Sequence, residues 1–204
     1  METVADINQE TSLAGKWMTN LVPNEEYFDV KDKPYVIFKA NEYSQWHQRA
    51  MEIDGTKYNC CEQYMMAEKA RLFDDKDTLV KILGAKKPRM QKQLGREVKN
   101  FDENKWKEHC FDIVAKGNYY KFKQHPDLKK KLFNTGKKLI AEGSSCDRIW
   151  GIGIDVNETS AQDIQKWNGT NLLGQAIMHA RKKLLSEENI GFQDAIGDYS
   201  CADM

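Results

Sequence analysis

The chain has 204 residues, with 31 Lys+Arg against 31 Asp+Glu and a formal net charge of zero. That length suits one domain with a sizeable core and flexible ends. The charge balance excludes the basic footprint of a nonspecific nucleic-acid binder. No stretch approaches the ~20 apolar residues of a membrane span, and the acidic start Met1-Glu2-Thr3-Val4-Ala5-Asp6 does not read as a secretory signal. So no membrane partner is expected. The five cysteines, Cys60, Cys61, Cys110, Cys146 and Cys201, include no CxxC and have no spaced partner among the four His. They read as thiols in a reducing compartment, with neither a disulfide framework nor a metal site. The cytoplasm is the default location, and the nucleus is compatible.

Residues 1–33 are polar and aperiodic and read as an N-terminal extension, with Trp17 and Tyr27-Phe28 as its apolar points. Tyr35-Val36-Ile37-Phe38 reads as a short buried strand. Asp54-Gly55, between Met51-Glu52-Ile53 and Thr56-Lys57-Tyr58, predicts a hairpin. Asn59, with Glu62 three residues on, predicts a helix running to about Phe73. A shorter helix follows over Asp77 to Leu83. Pro88 suits a first helical position, and Met90, Leu94 and Val98 then recur every fourth residue. Asp102 predicts the cap of a longer helix, with Phe101 and Trp106 spaced as a hydrophobic staple. That helix runs to about Tyr120. Pro126 opens another, closed by Thr135-Gly136. Leu139-Ile140 and Trp150 to Ile154 look strand-like on either side of a loop ending at Asp147. Asn171 can cap a last helix bearing Leu173, Ile177 and Leu184. From 186 to 204 the chain holds five acids and no Lys or Arg, an acidic C-terminal tail. The sum is α+β, a predominantly helical single domain over 34–185 with a small β-sheet and no βαβ alternation.

Four places could carry chemistry. On the helix from Asn59, Glu62, Met66, Lys69 and Phe73 share one stripe, with Glu62 and Lys69 about 10 Å apart along the axis. Charges on an otherwise apolar face either border a cleft or are paired. The plain alternative is a capping box for Glu62 and an outward-snorkelling Lys69. The second place is Asp147, beside Trp150 and the glycines 151 and 153, where it is either a ligand-facing acid or an Asx-turn residue. Third is Tyr43-Ser44-Gln45-Trp46-His47, whose small donors around an aromatic suit a flat ring with polar edges, or simply a packed surface loop. Fourth is Gly95-Arg96. A helical Gly costs about 1 kcal/mol against Ala and needs a packing reason. Arg96 suits a phosphate or a surface ion pair.

At these same places the chain resembles the NADAR (YbiA-like) family. The resemblance lies in Tyr43-Ser44-Gln45-Trp46, Asp54-Gly55 and Tyr58-Asn59-Cys60-Cys61-Glu62-Gln63-Tyr64-Met65-Met66-Ala67-Glu68-Lys69-Ala70. It continues in Leu94-Gly95-Arg96, Phe101-Asp102 and Trp106, then in Leu132 to Gly136, Asp147-Arg148-Ile149-Trp150-Gly151-Ile152-Gly153 and Trp167-Asn168-Gly169-Thr170-Asn171-Leu172-Leu173-Gly174. About 150 residues match in order. The chain departs from the family at His47-Gln48-Arg49-Ala50-Met51, where a Pro-rich stretch is common.

The resemblance implies an N-glycosidase that hydrolyses a ribosyl C1′–N bond, with no metal and no cofactor. Two substrate classes are associated with the family: ADP-ribosylated guanine, in a nucleoside or a nucleic acid, and phosphoribosylated pyrimidine intermediates of riboflavin synthesis. A non-catalytic ADP-ribose reader would use the same pocket. Cleavage passes through an oxocarbenium-like state that needs a carboxylate near C1′ and a water in reach. The implied catalytic residues are Glu62, on the charge or the water, Asp147, orienting ribose or water, and Lys69, holding Glu62 ionised or stabilising the leaving base or a phosphate. Trp46 and Trp150 would stack on a flat ring. Ser44 and Gln45 would read polar edges, and Arg96 or Asn171 would bind phosphate or ribose.

Overall fold

A computed structural model describes residues 35–190; the expected N-terminal extension and residues 191–204 of the tail lie outside the described residues. Strand β1 (Tyr35–Phe38) pairs in parallel with β4 (Leu139–Glu142), and the register sets Phe38 opposite Glu142. Strands β2 (Met51–Ile53) and β3 (Thr56–Tyr58) form a separate antiparallel hairpin. Its turn sets Asp54 at φ +51° and Gly55 at φ +74°, the left-handed pair that an Asp-Gly turn provides. Six α-helices complete the described residues: α1 (Cys61–Leu72), α2 (Lys76–Gly84), α3 (Pro88–Arg96), α4 (Glu103–Gln124), α5 (Pro126–Phe133) and α6 (Leu172–Glu187). The predominantly helical α+β reading is met, with two small two-stranded sheets in place of one. None of these helices is long and apolar enough to cross a membrane.

The long helix α4 packs against α6, α5 and α1, and α1 also meets α2 and α3. Asp102 caps α4 by accepting from the Lys105 N–H at 2.8 Å. Phe122, Leu132, Phe133, Ile140 and Ile177 are fully buried between these layers. Truncating one such aromatic to Ala costs about 3–5 kcal/mol. Gly117 lets α4 close on α1, since a Cβ there would meet the Tyr64 ring at 2.8 Å.

Two local expectations change. Helix α1 begins at Cys61, and no side chain caps it. The Asn59 amide donates instead to the Lys86 carbonyl, and the Asn59 N–H donates to Gln63 Oε1 at 2.7 Å. Glu62 therefore forms no capping box. Trp150 to Ile154 is a clamped loop rather than a strand. Gly153 sits at φ +72°, and the segment is tied by single bonds, Ile152 N–H to the Glu142 carbonyl and Asn171 N–H to the Gly151 carbonyl. At the other end, α6 continues to Glu187, which accepts from Tyr119 Oη at 2.8 Å, while Lys129 pairs with Glu188. The first two acids of the segment read as tail are thus docked on α4 and α5.

Candidate active site

A cleft of about 400 Å³ opens between the loop after β1, the faces of α1 and α3, and the loop after β4. Ser44, Gln45, Trp46, Glu62, Lys69, Arg96, Asp147 and Trp150 all line it. Eight of the nine residues singled out in the sequence therefore share one hollow. The chain order explains little of this; β1 and β4 pair in parallel and bring the loop that follows each strand to the same end.

The Ser44–Trp46 turn is fixed from beneath. Tyr43 is buried against Phe38 and Phe122, and its hydroxyl donates to the Lys131 carbonyl at 3.1 Å. Ser44 Oγ accepts from the Trp46 N–H at 3.2 Å. The fully buried Asn118 donates to Gln45 Oε1 at 3.0 Å, and the buried Lys121 ammonium donates to the Ser44 carbonyl. Gln45 in turn accepts from the Glu62 N–H through its carbonyl at 3.0 Å. That bond occupies one of the free amides of the first turn of α1 and fixes Glu62 against the turn. Trp46 itself is 43% exposed at the cleft mouth.

Glu62 is buried, and burial pushes its carboxyl up to about 7. Lys92, the Trp46 indole N–H and Arg96 act in the opposite direction, and Asp147 adds repulsion. Lys69 also lines the cleft, and its contacts are to α3 and two aromatic rings. Its ammonium donates to the Gly95 carbonyl at 2.8 Å and lies 4.1 Å from the centre of the Phe101 ring and 5.6 Å from that of Trp106. Burial first and Arg96 second lower its pKa. The groups that favour the ionised form of Glu62 are therefore Lys92, the Trp46 indole N–H and Arg96. Trp106, spaced as a staple, lines the cleft as well.

Asp147 combines a turn with a place at the cleft. Its Oδ1 accepts from the N–H groups of Ile149 and Trp150, at 3.0 and 2.8 Å, while the residue borders the cleft. Asn171 stands apart. It occupies the position before α6 at φ +51°, but its side chain caps nothing there. The amide donates to the Ile140 carbonyl at 2.9 Å and accepts from the Glu142 N–H at 3.1 Å, so it clamps β4 from behind the cleft.

Two contributors carry no motif recognised in the sequence. Glu142, at the end of β4, lines the cleft, and burial, with repulsion from Asp147, pushes its carboxyl up to about 7. Its signal was an acid ending a buried apolar strand, where ligands gather at the carboxyl ends of parallel strands. Lys92 joins Arg89 and Arg96 on one stripe of α3, a spacing visible in the sequence. These three, with Trp46 and Gln93, line a second hollow of about 400 Å³ that shares Trp46, Lys92 and Arg96 with the cleft. Among the described residues, no group of three or more His, Cys, Asp or Glu could hold a metal ion.

The NADAR domain family matches residues 27–185. The N-glycosidase R617 of Acanthamoeba polyphaga mimivirus is 46% identical over 62% of this chain and 75% of its own length. A riboflavin biosynthesis protein of Vibrio vulnificus is 24% identical over 76% of this chain and 40% of its own. The solution structure of Escherichia coli YbiA superposes with a TM-score of 0.65 at 22% identity, covering 78% of this chain and 90% of that one.

Proposed function

The chain belongs to the NADAR family, and we propose that within it this protein removes ADP-ribose from ADP-ribosylated guanine by hydrolysing the ribosyl C1′–N bond. Two of the relatives, R617 and YbiA, are named N-glycosidases. The choice of substrate is the finer step. It rests on one observation: the cleft that holds Glu62, Glu142 and Asp147 adjoins, through Trp46, Lys92 and Arg96, a hollow lined by three cations of α3 and no acid. A ribosyl group at the acids would leave a pyrophosphate along Lys92, Arg96 and Arg89, with Trp46 at the junction for stacking. A substrate with a single phosphate fills only part of that length.

In this reading Glu62 stabilises the oxocarbenium-like state and activates water. Asp147 orients the ribose hydroxyls. Lys69, tied to Gly95, faces the departing base or a phosphate as a fixed positive charge. Ser44 and Gln45 hold the polar edges of the base, with Trp150 on the opposite wall. Asn171 supports the site through β4 and makes no contact with substrate.

The second substrate class, phosphoribosylated pyrimidines, is supported by the name of the Vibrio relative alone. The test is incubation with ADP-ribosyl-guanosine and, separately, with a riboflavin-pathway phosphoribosylated pyrimidine, read by mass spectrometry. Release of ADP-ribose and guanosine is expected. Cleavage of the pyrimidine substrate alone would move the assignment to the riboflavin class. Binding of ADP-ribose without release from either would make the protein a reader.

A further inference from the structure

We infer that Glu142 is a catalytic residue, the acid that protonates the departing base while Glu62 accepts a proton from the attacking water. This rests on the N-glycosidase reading. Glu142 ends β4, beside the loop that carries Asp147, and lines the same cleft as Glu62. Its backbone is held on both sides: the N–H donates to Asn171 Oδ1 at 3.1 Å, and the carbonyl accepts from Ile152 at 2.9 Å and Ser144 at 3.1 Å. Gly174 makes room for that clamp, since a Cβ there would meet the Ile140 carbonyl oxygen at 2.0 Å and the Asn171 amide at 2.5 Å. These bonds hold fixed the backbone that carries this carboxyl at the cleft wall.

The surroundings of the two carboxyls differ. Glu62, from α1, has the Trp46 indole N–H, Lys92 and Arg96 to favour its ionised form. Glu142 is repelled by Asp147 and by Glu62, and Lys92 of α3 is the cation acting on it. Lys39, also at the cleft wall, is paired with Asp155. Glu62 thus has three groups that favour its charge and Glu142 has one, so Glu62 serves as the base and Glu142 as the acid. In the step, the water oxygen bonds to C1′ as its proton passes to Glu62. The C1′–N bond breaks with its electron pair on nitrogen, which takes the Glu142 proton. Exchange with solvent then returns one proton from Glu62 and supplies one to Glu142.

The experiment compares wild type with Glu142→Gln and Glu142→Asp on both candidate substrates, across pH. For Glu142→Gln, kcat should fall by about a hundredfold or more, with KM changed little. The alkaline limb of the pH profile should vanish from its residual activity, because that limb reports the acid losing its proton. Glu142→Asp should retain that limb at reduced kcat, and it carries the test if the Gln variant does not fold. A Glu142→Gln enzyme within threefold of wild type, or one that keeps the alkaline limb, overturns the assignment while leaving the hydrolase reading intact. A wild type inactive on both substrates overturns the hydrolase reading itself.

Discussion

The Lys69 ammonium donates to the Gly95 carbonyl across 2.8 Å, so a turn of α3 and a turn of α1 are tied at the cleft wall. The tie requires that α3 come close. A Cβ on Gly95 would meet Met66 Sδ at 2.0 Å and Cγ at 2.9 Å. Gly95→Ala gains about 1 kcal/mol of helix propensity and loses about 1–3 kcal/mol to overpacking. The expected outcome is a melting temperature lower by a few degrees and a raised KM, as α3 moves away from Met66. A melting temperature above wild type would mean that Met66 yields freely and the close approach is idle.

Glu62→Gln should remove most turnover and yet stabilise the protein at neutral pH. The ordinary carboxyl titrates near 4.5, and burial holds this one at about 7 in the folded chain. Below 4.5 both states are protonated and the group costs nothing. Between 4.5 and 7 the unfolded chain has released its proton and the folded chain has not, so stability falls as pH rises. The penalty levels off above 7, at up to about 3 kcal/mol. The amide cannot ionise and escapes the penalty, while its oxygen still accepts from Trp46. Melting curves should coincide near pH 4.5 and diverge towards pH 8, with the variant the more stable. Equal melting temperatures at pH 8, or wild-type turnover, would remove Glu62 from its assigned place.

Trp46→Phe separates stacking from charge. Phenylalanine keeps a flat face at the cleft mouth but loses the indole N–H that favours ionised Glu62. The carboxyl should then rise above its present value of about 7. If Glu62 works as the base, the acidic limb of the rate profile moves to higher pH in this variant. KM should change less than in Trp46→Ala, which also forfeits stacking worth about 1–3 kcal/mol. An unmoved acidic limb would break the link between Trp46 and the base.

Much of this was legible before any coordinates. Local signals fixed the Asp-Gly turn, the Asp102 cap and the proline starts of α3 and α5, because each depends on a few adjacent residues. Gly95 announced a close approach, since nothing else justifies glycine inside a helix. What stayed hidden depends on distant pairing. Asn59 looked like a cap, but its amide finds the Lys86 carbonyl, across a loop that folds over it. Glycine-rich Trp150 to Ile154 looked like a strand by its apolar residues, yet its hydrogen bonds go to three separate segments. Glu142 carries no motif; only the parallel pairing of β1 with β4 delivers it to the cleft. Asn171 matched a motif, and its amide serves β4 where a ligand contact was expected.

Arg89→Gln tests whether the substrate extends beyond the cleft that holds the acids. Arg89 lines the second hollow alone, whereas Lys92 and Arg96 line both. Losing one charged contact to a pyrophosphate should cost about 1.4 kcal/mol, or about tenfold in KM, for ADP-ribosyl-guanosine. The salt dependence of KM should weaken as well, because one fewer cation meets the anion. The single-phosphate pyrimidine substrate ends nearer the acids, and its KM should be unchanged in the same variant. Equal loss on both substrates would place a phosphate at Arg89 in either case and withdraw the argument from length. No loss on either would leave the second hollow outside the substrate path.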